Sequence, residues 1–284
     1  MAAAQQQLTP AAFDSAAASY DANFTHTNIG SAQRNAIWHY LEGVFHRGEQ
    51  ILEVGCGTGI DACLLAEFGV TVVACDSSSQ MLEITRKRVT DRRLTRRVHP
   101  ILLAAEDIPS LQTSEPFDGA FSNFGALNCI EDVRQFATNL SAMLKPGARA
   151  VLVWIGPYCL WEMVWYLRQR KPQKAFRRFR RSGVPAQIAH GPCFSVYYPK
   201  VRSLMTAFSP EFRLRALRGV GIAVPPSYME SWATRHSRLL HLFEKMDFVL
   251  GRVPGLRVLA DHVLLEFERT DMRPINAFSS RADK

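Results

Sequence analysis

The chain has no long hydrophobic run. Hydrophobic residues make up 47% of its 284 residues, yet nowhere do they continue for the roughly 18 positions that a membrane-crossing helix needs. The first ten residues, Met1 to Pro10, also lack the basic start and the apolar stretch of a secretion signal. We therefore expect a soluble, cytoplasmic protein that is long enough to bury a full core.

Cysteine residues are few and scattered. The six of them form no Cys-x-x-Cys pair and no cluster with histidine at metal-ligand spacing. We expect reduced, mostly buried thiols and no bound metal.

Acidic residues are absent from one strongly basic segment. The chain carries 34 Lys and Arg against 26 Asp and Glu, a net charge of +8. The segment 168–183 contains no carboxylate and eight cations, which are Arg168, Arg170, Lys171, Lys174, Arg177, Arg178, Arg180 and Arg181. We expect these cations to be uncompensated, which favours one local anionic contact over a basic face that covers the protein. The alternative is a solvated face with no partner.

Short apolar runs alternate with helical stretches along most of the chain. The runs are 51–55, 70–75, 98–103, 117–122, 148–155, 212–218 and 261–268. This alternation predicts an α/β fold with a doubly wound, seven-stranded, mostly parallel sheet and helices on both faces. Where the alternation stops, after the fifth run, we expect a helical insertion rich in Trp, Tyr, Phe and Arg.

The segment ILEVGCGTGID at 51–61 runs from an apolar strand through three glycines into a helical pattern. Glycine permits a tight turn and lets a ligand approach where a Cβ atom would collide. A dinucleotide site needs the spacing G-x-G-x-x-G, and its third glycine would stand at Ile60. The spacing found here, G-x-G-x-G through Gly55, Gly57 and Gly59, therefore argues against NAD and FAD.

Asp76 stands at the end of the second predicted strand. A carboxylate in this place can accept hydrogen bonds from both hydroxyl groups of a ribose. NAD-dependent enzymes use an acidic residue here as well, so Asp76 indicates an adenosine-containing ligand without selecting the cofactor.

The order of motifs over residues 12–155 resembles that of class I S-adenosylmethionine-dependent methyltransferases, especially the branch of the ubiquinone/menaquinone and biotin pathways. FDSAAASYD at 13–21 is similar to the F-D-x-x-A-x-x-Y-D signature of that branch. AAEDIP at 104–109 resembles its G-D-A-E-D-L-P stretch, and FDGAFSNFGALNC at 117–129 resembles its fourth-strand motif. The resemblance implies a Rossmann-like fold, S-adenosyl-L-methionine as the cofactor and methyl transfer as the activity.

The resemblance also implies which residues hold the cofactor. Tyr20 would belong to a lid near its methionine end, and Arg34 would pair with its carboxylate. Asn123 and Phe124 would lie beneath the sulfonium, whereas Ala104 replaces an acidic residue that the family has beside the adenine. The full expected set is Tyr20, Arg34, Glu53, Gly55, Gly57, Gly59, Asp76, Ser77, Met81, Ala105, Glu106, Asp107, Asn123 and Phe124.

Five segments follow from the strand pattern and the resemblance together. We expect an N-terminal helical lid, a Rossmann-like cofactor-binding core, an aromatic and basic substrate cap, a segment with the last two strands and a helix near 231–250, and a C-terminal tail. Their bounds, in that order, are 1–48, 49–155, 156–211, 212–270 and 271–284.

The acceptor is expected beneath the cap. Methyl transfer is an in-line displacement, here to an O, N or C atom of a small or lipid-like molecule. A hydroxyl or a protonated amine would need a base, and the candidates are His190, His236, Tyr228 and Glu230. VPPSY at 224–228 superficially resembles a motif of nucleic-acid methyltransferases, but Val224 stands where that motif has Asn or Asp.

The cap is also expected to meet a partner. An anionic membrane surface or an acidic carrier would suit its cations. Nucleic acid is a less favoured alternative, although aromatic residues interleaved with arginine suit RNA as well. A non-catalytic, cofactor-binding assembly factor is a further alternative, and Ile60 counts against a nicotinamide oxidoreductase. The sequence indicates no oligomeric state.

Overall fold

The computed structural model describes residues 2–180 and 182–271, with the backbone alone for residues 2–7. Its helices are α1 (Ala2–Tyr20), α2 (Asn28–Leu41), α3 (Ile60–Glu67), α4 (Ser79–Asp91), α5 (Val133–Met143), α6 (Leu160–Arg168), α7 (Pro172–Ala175), α8 (Val201–Phe208), α9 (Glu230–Arg235) and α10 (Ser237–Leu250). Its strands are β1 (Gln50–Val54), β2 (Thr71–Asp76), β3 (Val98–Leu102), β4 (Phe117–Ser122), β5 (Leu144–Ile155), β6 (Val184–Ala186), β7 (Phe194–Val196), β8 (Phe212–Val220) and β9 (His262–Arg269).

Seven of these strands form one sheet in the order β3-β2-β1-β4-β5-β9-β8. The first five are parallel to one another, and β9 runs antiparallel to both β5 and β8. The predicted doubly wound, mostly parallel sheet is therefore confirmed. All seven apolar runs form its strands, with ends that differ from the predicted ones by a few residues.

Successive residues of β1 pack on opposite faces of the sheet, as the pleat of a strand requires. Ile51 belongs to a core with Ile37 of α2 and Leu65 of α3. Leu52 belongs to a core on the other face, with Phe136 of α5. Because both faces of the central strands are covered, these strands read as nearly continuous apolar runs.

The strand β9 begins at the edge of the sheet where the parallel strands end. Its first residue, His262, lies opposite Ile155, the last residue of β5. Ligands of open α/β sheets bind beyond the carboxyl ends of the parallel strands. The antiparallel direction of β9 thus brings His262 and the preceding Asp261 to the edge where a ligand is expected.

The structure differs from the expected elements at two places. The insertion after β5 is not wholly helical, because β6 and β7 pair as an antiparallel hairpin. The single helix expected near 231–250 is divided at His236 into α9 and α10. Of the expected C-terminal tail, residues 272–284 lie outside the described part of the chain. Among the helices that are described, none combines the length and the apolarity needed to cross a bilayer.

Candidate active site

The three glycines after β1 all have left-handed backbone angles, with φ of +72° at Gly55, +54° at Gly57 and +74° at Gly59. A Cβ atom at Gly55 would lie 2.3 Å from the Cβ of Ala126. One at Gly59 would lie 2.5 Å from the Cγ2 of Thr85, whereas one at Gly57 would meet nothing within 4 Å. Packing therefore requires glycine at the outer two positions, and Gly57 faces open space that a ligand can enter.

Asp76, the last residue of β2, holds the glycine loop from the side. Its Oδ2 accepts a hydrogen bond from the backbone N–H of Gly57 at 2.8 Å, and its Oδ1 accepts one from the backbone N–H of Ser78 at 2.9 Å. Burial raises the pKa of this carboxyl group, and the backbone hydrogen bonds oppose the rise. Each carboxylate oxygen can accept more than one hydrogen bond, so Asp76 can also accept hydrogen bonds from the hydroxyl groups of a ribose.

A cavity of about 620 Å³, here called the first cavity, lies against Gly57 and Asp76. Most residues of the expected cofactor set line it, namely Tyr20, Gly55, Gly57, Asp76, Ser77, Met81, Ala105, Glu106, Asn123 and Phe124. Phe13 of α1 closes it from the side of the N-terminal segment. The fold thus brings residues from separate stretches of the sequence around one space.

Four residues of the expected set lie elsewhere. Asp107 is exposed, Gly59 packs against α4, and Arg34 lines a different cavity. Glu53 is 1% exposed, and its Oε2 has no hydrogen-bond partner among the described residues. Burial raises the pKa of Glu53 well above its usual value; the charge of Asp61 adds to this rise, and Arg34 opposes it. The Oε2 atom of Glu53, next to the glycine loop in the sequence, is therefore available for a hydrogen bond with a ligand.

Asp61, near the start of α3, was not in the expected set. It accepts hydrogen bonds from Arg34 Nη1 at 2.5 Å, Trp38 Nε1 at 2.6 Å and Asn123 Nδ2 at 3.0 Å. The guanidinium of Arg34 also lies 4.5 Å from the ring centroid of Phe124. Asp61 thereby fixes two residues that the resemblance assigns to the cofactor. An aspartate in the first turn of a helix is common because of the helix dipole, so the sequence carried no distinctive signal for this role.

Two aspartates of FDSAAASYD fasten the N-terminal segment to the core. Asp14 of α1 accepts a hydrogen bond from the Ser78 hydroxyl at 2.6 Å, at the start of α4. Asp21, the residue that follows α1, forms an ion pair with Arg88 of α4. Tyr20 lies between these two anchors, and burial raises the pKa of its phenol. The N-terminal segment is therefore fastened to α4 at two points.

A second cavity of about 360 Å³ adjoins the first. Four residues line both, namely Phe13, Tyr20, Phe124 and Cys129. The insertion after β5 supplies much of the remaining wall, through Ala186, Ile188, Phe194, Val196 and Tyr198. The second cavity is thus mainly aromatic and aliphatic, and it meets the first at three shared aromatic rings, Phe13, Tyr20 and Phe124.

Two cations of the basic segment are compensated. Arg178 is buried, and its Nη2 lies 2.7 Å from Glu162 Oε2 and 2.8 Å from Asp261 Oδ1. Arg177 Nε lies 2.7 Å from the other oxygen of Glu162. The expectation of uncompensated charge is therefore wrong for these two residues, because carboxylates from outside the segment fold onto it. Arg181 lies outside the described residues.

Of the four candidate bases, Tyr228 lines the second cavity, where burial raises the pKa of its phenol. His190 and His236 are exposed and line neither cavity. Glu230 also lines neither cavity, since it accepts a hydrogen bond from the backbone N–H of Asn28 at 2.8 Å and caps the start of α2. The structure does not bring these four residues together.

A different histidine, His262, lines the second cavity together with Asp261. In the sequence these two residues stand at the start of an apolar run that predicts only a strand. Their place beside the cavity depends on the antiparallel pairing of β9 with β5, which joins distant parts of the chain. The residues around Asp261 and His262 in the sequence do not predict with which strand β9 pairs.

Residues 51–147 match a family described as "Methyltransferase domain". Over this segment the chain is similar to the class I methyltransferases. A demethylmenaquinone methyltransferase of Clavibacter sepedonicus is 35% identical to it over 144 residues, which are 50% of this chain and 56% of that protein. A malonyl-[acyl-carrier protein] O-methyltransferase of Serratia marcescens is 26% identical over 219 residues, 76% of this chain and 78% of that protein.

Solved structures share the fold of this chain. An S-adenosylmethionine-dependent methyltransferase from Mesorhizobium loti superposes with a TM-score of 0.52 at 18% identity, and the match covers 82% of this chain and 98% of that one. The chain spans about half the length of the Clavibacter relative. S-adenosyl-L-methionine is the cofactor of the class I methyltransferases that the chain resembles, and the open space at Gly57, the acceptors of Asp76 and the unused oxygen of Glu53 fit that molecule.

Proposed function

We propose that the methyltransferase binds S-adenosyl-L-methionine in the first cavity and transfers its methyl group to a small or lipid-like acceptor in the second. The observation that carries this proposal is the meeting of the two cavities at Tyr20 and Phe124. Two bound molecules react when the reacting atoms are held in line, at about 3–3.5 Å. A junction of two cavities provides such a place.

Two residues of the first cavity and two buried residues outside its lining would bind different parts of the cofactor. Asp76 would accept the ribose hydroxyl groups, and Gly57 leaves room for the adenosine to approach the backbone. Arg34 has a buried Nε without a hydrogen-bond partner among the described residues, and it lies near the buried Glu53. A guanidinium and a carboxyl group that each have a polar atom without a partner suit the carboxylate and the ammonium of an amino acid.

The protein's share of the reaction would be positioning. When bound, the cofactor supplies a methyl group already activated on a cationic sulfur, so the chain needs to orient the acceptor and exclude water. Tyr20 and Phe124 place aromatic rings at the junction, and such rings tolerate a cation. The N-terminal segment, anchored through Asp14 and Asp21, would keep water from the junction.

The walls of the second cavity support a small or lipid-like acceptor, to be methylated on O, N or C. Its volume of about 360 Å³ lies in the range of small-molecule sites. Aromatic and aliphatic side chains such as Phe194 and Val196 favour an apolar body. The relatives named for demethylmenaquinone and for malonyl-[acyl-carrier protein] agree with an acceptor of this kind.

The experiment that tests this function follows the label of methyl-labelled S-adenosylmethionine into three separate pools, which are a lipid extract, a water-soluble small-molecule extract and bulk tRNA. We expect label in one of the first two pools and none with the Asp76→Ala variant, provided that its circular dichroism matches the parent. Label in tRNA would overturn the acceptor class. Cofactor binding without label in any pool would favour the non-catalytic assembly factor.

We further infer that the outer surface of α6 and α7 rests on an anionic membrane. Four apolar side chains of α6 are 40–46% exposed, namely Leu160, Val164, Trp165 and Leu167. Beside them are four exposed cations that form no ion pair with any described residue, namely Arg168, Arg170, Lys171 and Lys174. Exposed apolar residues, tryptophan included, next to free cations are typical of helices that lie on anionic lipid. Such a position would suit a lipid-like acceptor.

A further inference from the structure

The imidazole of His262 lies close to the junction of the two cavities. It lines the second cavity, and its side chain is only 10% exposed. Its ring stands perpendicular to that of Phe124, with 5.3 Å between the centroids. Because Phe124 lines both cavities, the imidazole is one ring away from the place where an acceptor atom would meet the methyl group.

Asp261 lies behind this imidazole. Its Oδ2 is 3.5 Å from His262 Nδ1, a nitrogen that forms no hydrogen bond with the described residues. Arg178 Nη2 holds the other oxygen of Asp261 at 2.8 Å, and Gln33 of α2 approaches Oδ2 at 3.5 Å. Burial alone would raise the pKa of Asp261, but Arg178, His262 and the hydrogen bonds outweigh it and lower the pKa. Asp261 is therefore an ionised carboxylate in a fixed position.

The charge state of His262 suits an acceptor of protons. Burial lowers the pKa of the imidazole, Asp261 opposes that change, and Arg178 adds to it. These are the charged groups that face the ring: Asp261 precedes β9 in the chain, and Arg178 comes from the insertion. With a pKa below its ordinary 6.5, the imidazole is neutral at neutral pH, and one of its nitrogens accepts a hydrogen bond.

We propose that His262 is the general base of the methyl transfer, with Asp261 as its positioning residue, and that the acceptor is a neutral molecule carrying its proton on oxygen, such as a phenol or a hydroquinone. This inference rests on the proposed function, since it assigns the second cavity to the acceptor.

The charges around the second cavity favour a neutral acceptor over a carboxylate. Each guanidinium that lines the cavity faces a carboxylate, in the pairs Arg34 with Asp61, Arg177 with Glu162 and Arg178 with Asp261. Arg34 Nε has no partner among the described residues, but it is assigned to the carboxylate of the cofactor. A carboxylate acceptor would therefore enter a buried space without a counter-charge of its own, which costs free energy. A carboxylate would also need no base, so His262 would have no role in its methylation.

The proposed step balances in atoms and charge. A lone pair of the acceptor oxygen forms the bond to the methyl carbon as the carbon–sulfur bond breaks, and the electrons of that bond stay on sulfur. The acceptor proton passes to Nε2 of His262, the nitrogen on the far side of the ring from Asp261. The positive charge lost by sulfur thus moves to the imidazolium, where Asp261 stabilises it until the proton leaves to solvent.

The test uses the full chain saturated with S-adenosylhomocysteine, so that the first cavity is filled, and two probes with the same ring system. 2-Naphthol carries a hydroxyl proton, and 2-naphthoate carries a carboxylate. Fluorescence titration gives their dissociation constants between about pH 5 and 8, where a phenol stays neutral. At about pH 7.5 we expect 2-naphthol to bind at least about fivefold more tightly, the effect of one good hydrogen bond.

Variants of His262 separate a base from a structural residue. Binding of 2-naphthol to the parent should weaken as the pH falls through the pKa of His262, because an imidazolium only donates. His262→Gln keeps an acceptor, so binding should persist with a flat pH profile. His262→Leu should lose the preference for 2-naphthol. His241→Gln on α10, where the imidazole is exposed, should behave like the parent.

The two proposals fail in different ways. A melting shift with S-adenosylhomocysteine reports on the cofactor site alone and should persist in all His262 variants. If 2-naphthoate binds as tightly as 2-naphthol, or if neither probe binds, the inference is overturned while the cofactor site stands. A preference that survives in His262→Leu, or a pH dependence that survives in His262→Gln, would overturn it as well.

Discussion

The carboxylate of Asp14 accepts a hydrogen bond from the Ser78 hydroxyl at 2.6 Å. The same carboxylate oxygen accepts one from the backbone N–H of Gln80 at 3.0 Å, and the Ser78 hydroxyl oxygen in turn caps the backbone N–H of Met81 at 3.1 Å. These contacts join α1 to the first turn of α4, two residues beyond Asp76. The same hydrogen bonds therefore hold the N-terminal segment over the first cavity and fix the backbone beside Asp76, where the ribose of the cofactor is expected.

Asp14→Ala should weaken cofactor binding without unfolding the core. The change removes two hydrogen bonds, together about 1–3 kcal/mol, and lets α1 move away from the first cavity. We expect the affinity for S-adenosylhomocysteine to fall at least about fivefold, with faster amide exchange in residues 8–20. Ser15→Ala is the matched control, because the Ser15 hydroxyl bonds only to the carbonyl of Ala11 in its own helix. Equal affinities in both variants would show that α1 does not cover the site.

Gly57→Val should abolish most cofactor binding, because the new side chain would fill the open space beside Asp76. A loss of at least about tenfold is expected, measured by calorimetric titration. Gly48→Val controls for backbone strain, since Gly48 also has a left-handed φ, +91°, with nothing within 4 Å of an added Cβ, but lines neither cavity. If both variants lose the same affinity, strain and not occupied ligand space is the cause.

Arg178→Met should destabilise the fold. It would leave the carboxylates of Glu162 and Asp261 buried, with one guanidinium fewer between them, and breaking a buried ion pair from one side costs about 3–5 kcal/mol. Arg180→Met removes an exposed neighbour and should change the free energy of unfolding by less than about 0.5 kcal/mol. Denaturant unfolding measures both. If Arg178→Met changes the free energy of unfolding as little as Arg180→Met does, Arg178 is a solvated surface residue and the buried ion pairs are refuted.

The membrane contact is tested by changing to glutamine the four exposed cations of α6, of α7 and of the turn between them, namely Arg168, Arg170, Lys171 and Lys174. We expect the variant to lose sedimentation with vesicles of phosphatidylcholine and phosphatidylglycerol, and binding of the parent to fall with salt. The matched control neutralises four exposed cations of the α4 region, namely Arg86, Lys87, Arg93 and Arg96. Vesicle binding that both variants keep would refute the contact, and cofactor affinity should be unchanged in both.

The strands and the nucleoside site could be predicted because their signals are local. An apolar strand, three spaced glycines and a helix lie within 51–61, and Asp76 ends the next strand. The network around Arg178 could not be predicted, since Glu162 and Asp261 lie 16 and 83 residues away from it in the chain. A run of cations in the sequence does not predict which distant carboxylates the fold will place beside it.

The choice of base shows the same limit. His190 and His236 stand in or near the segments that the sequence predicts over the substrate, which makes them candidate bases. His262 stands in an apolar run, and only the pairing of β9 with β5 places it beside Phe124. Strand order in a sheet is set by long-range packing, so the residues it brings together cannot be read from spacing.

The central claim is that the glycine loop and Asp76 bind S-adenosylmethionine and not a nicotinamide nucleotide. Calorimetric titration of the full chain with S-adenosylhomocysteine and with NADH tests it most directly. We predict one site for S-adenosylhomocysteine, at least as tight as for S-adenosylmethionine, greatly weakened in Asp76→Ala, and no heat of binding with NADH. Binding of NADH to the parent chain, or no binding of S-adenosylhomocysteine, would contradict the assignment.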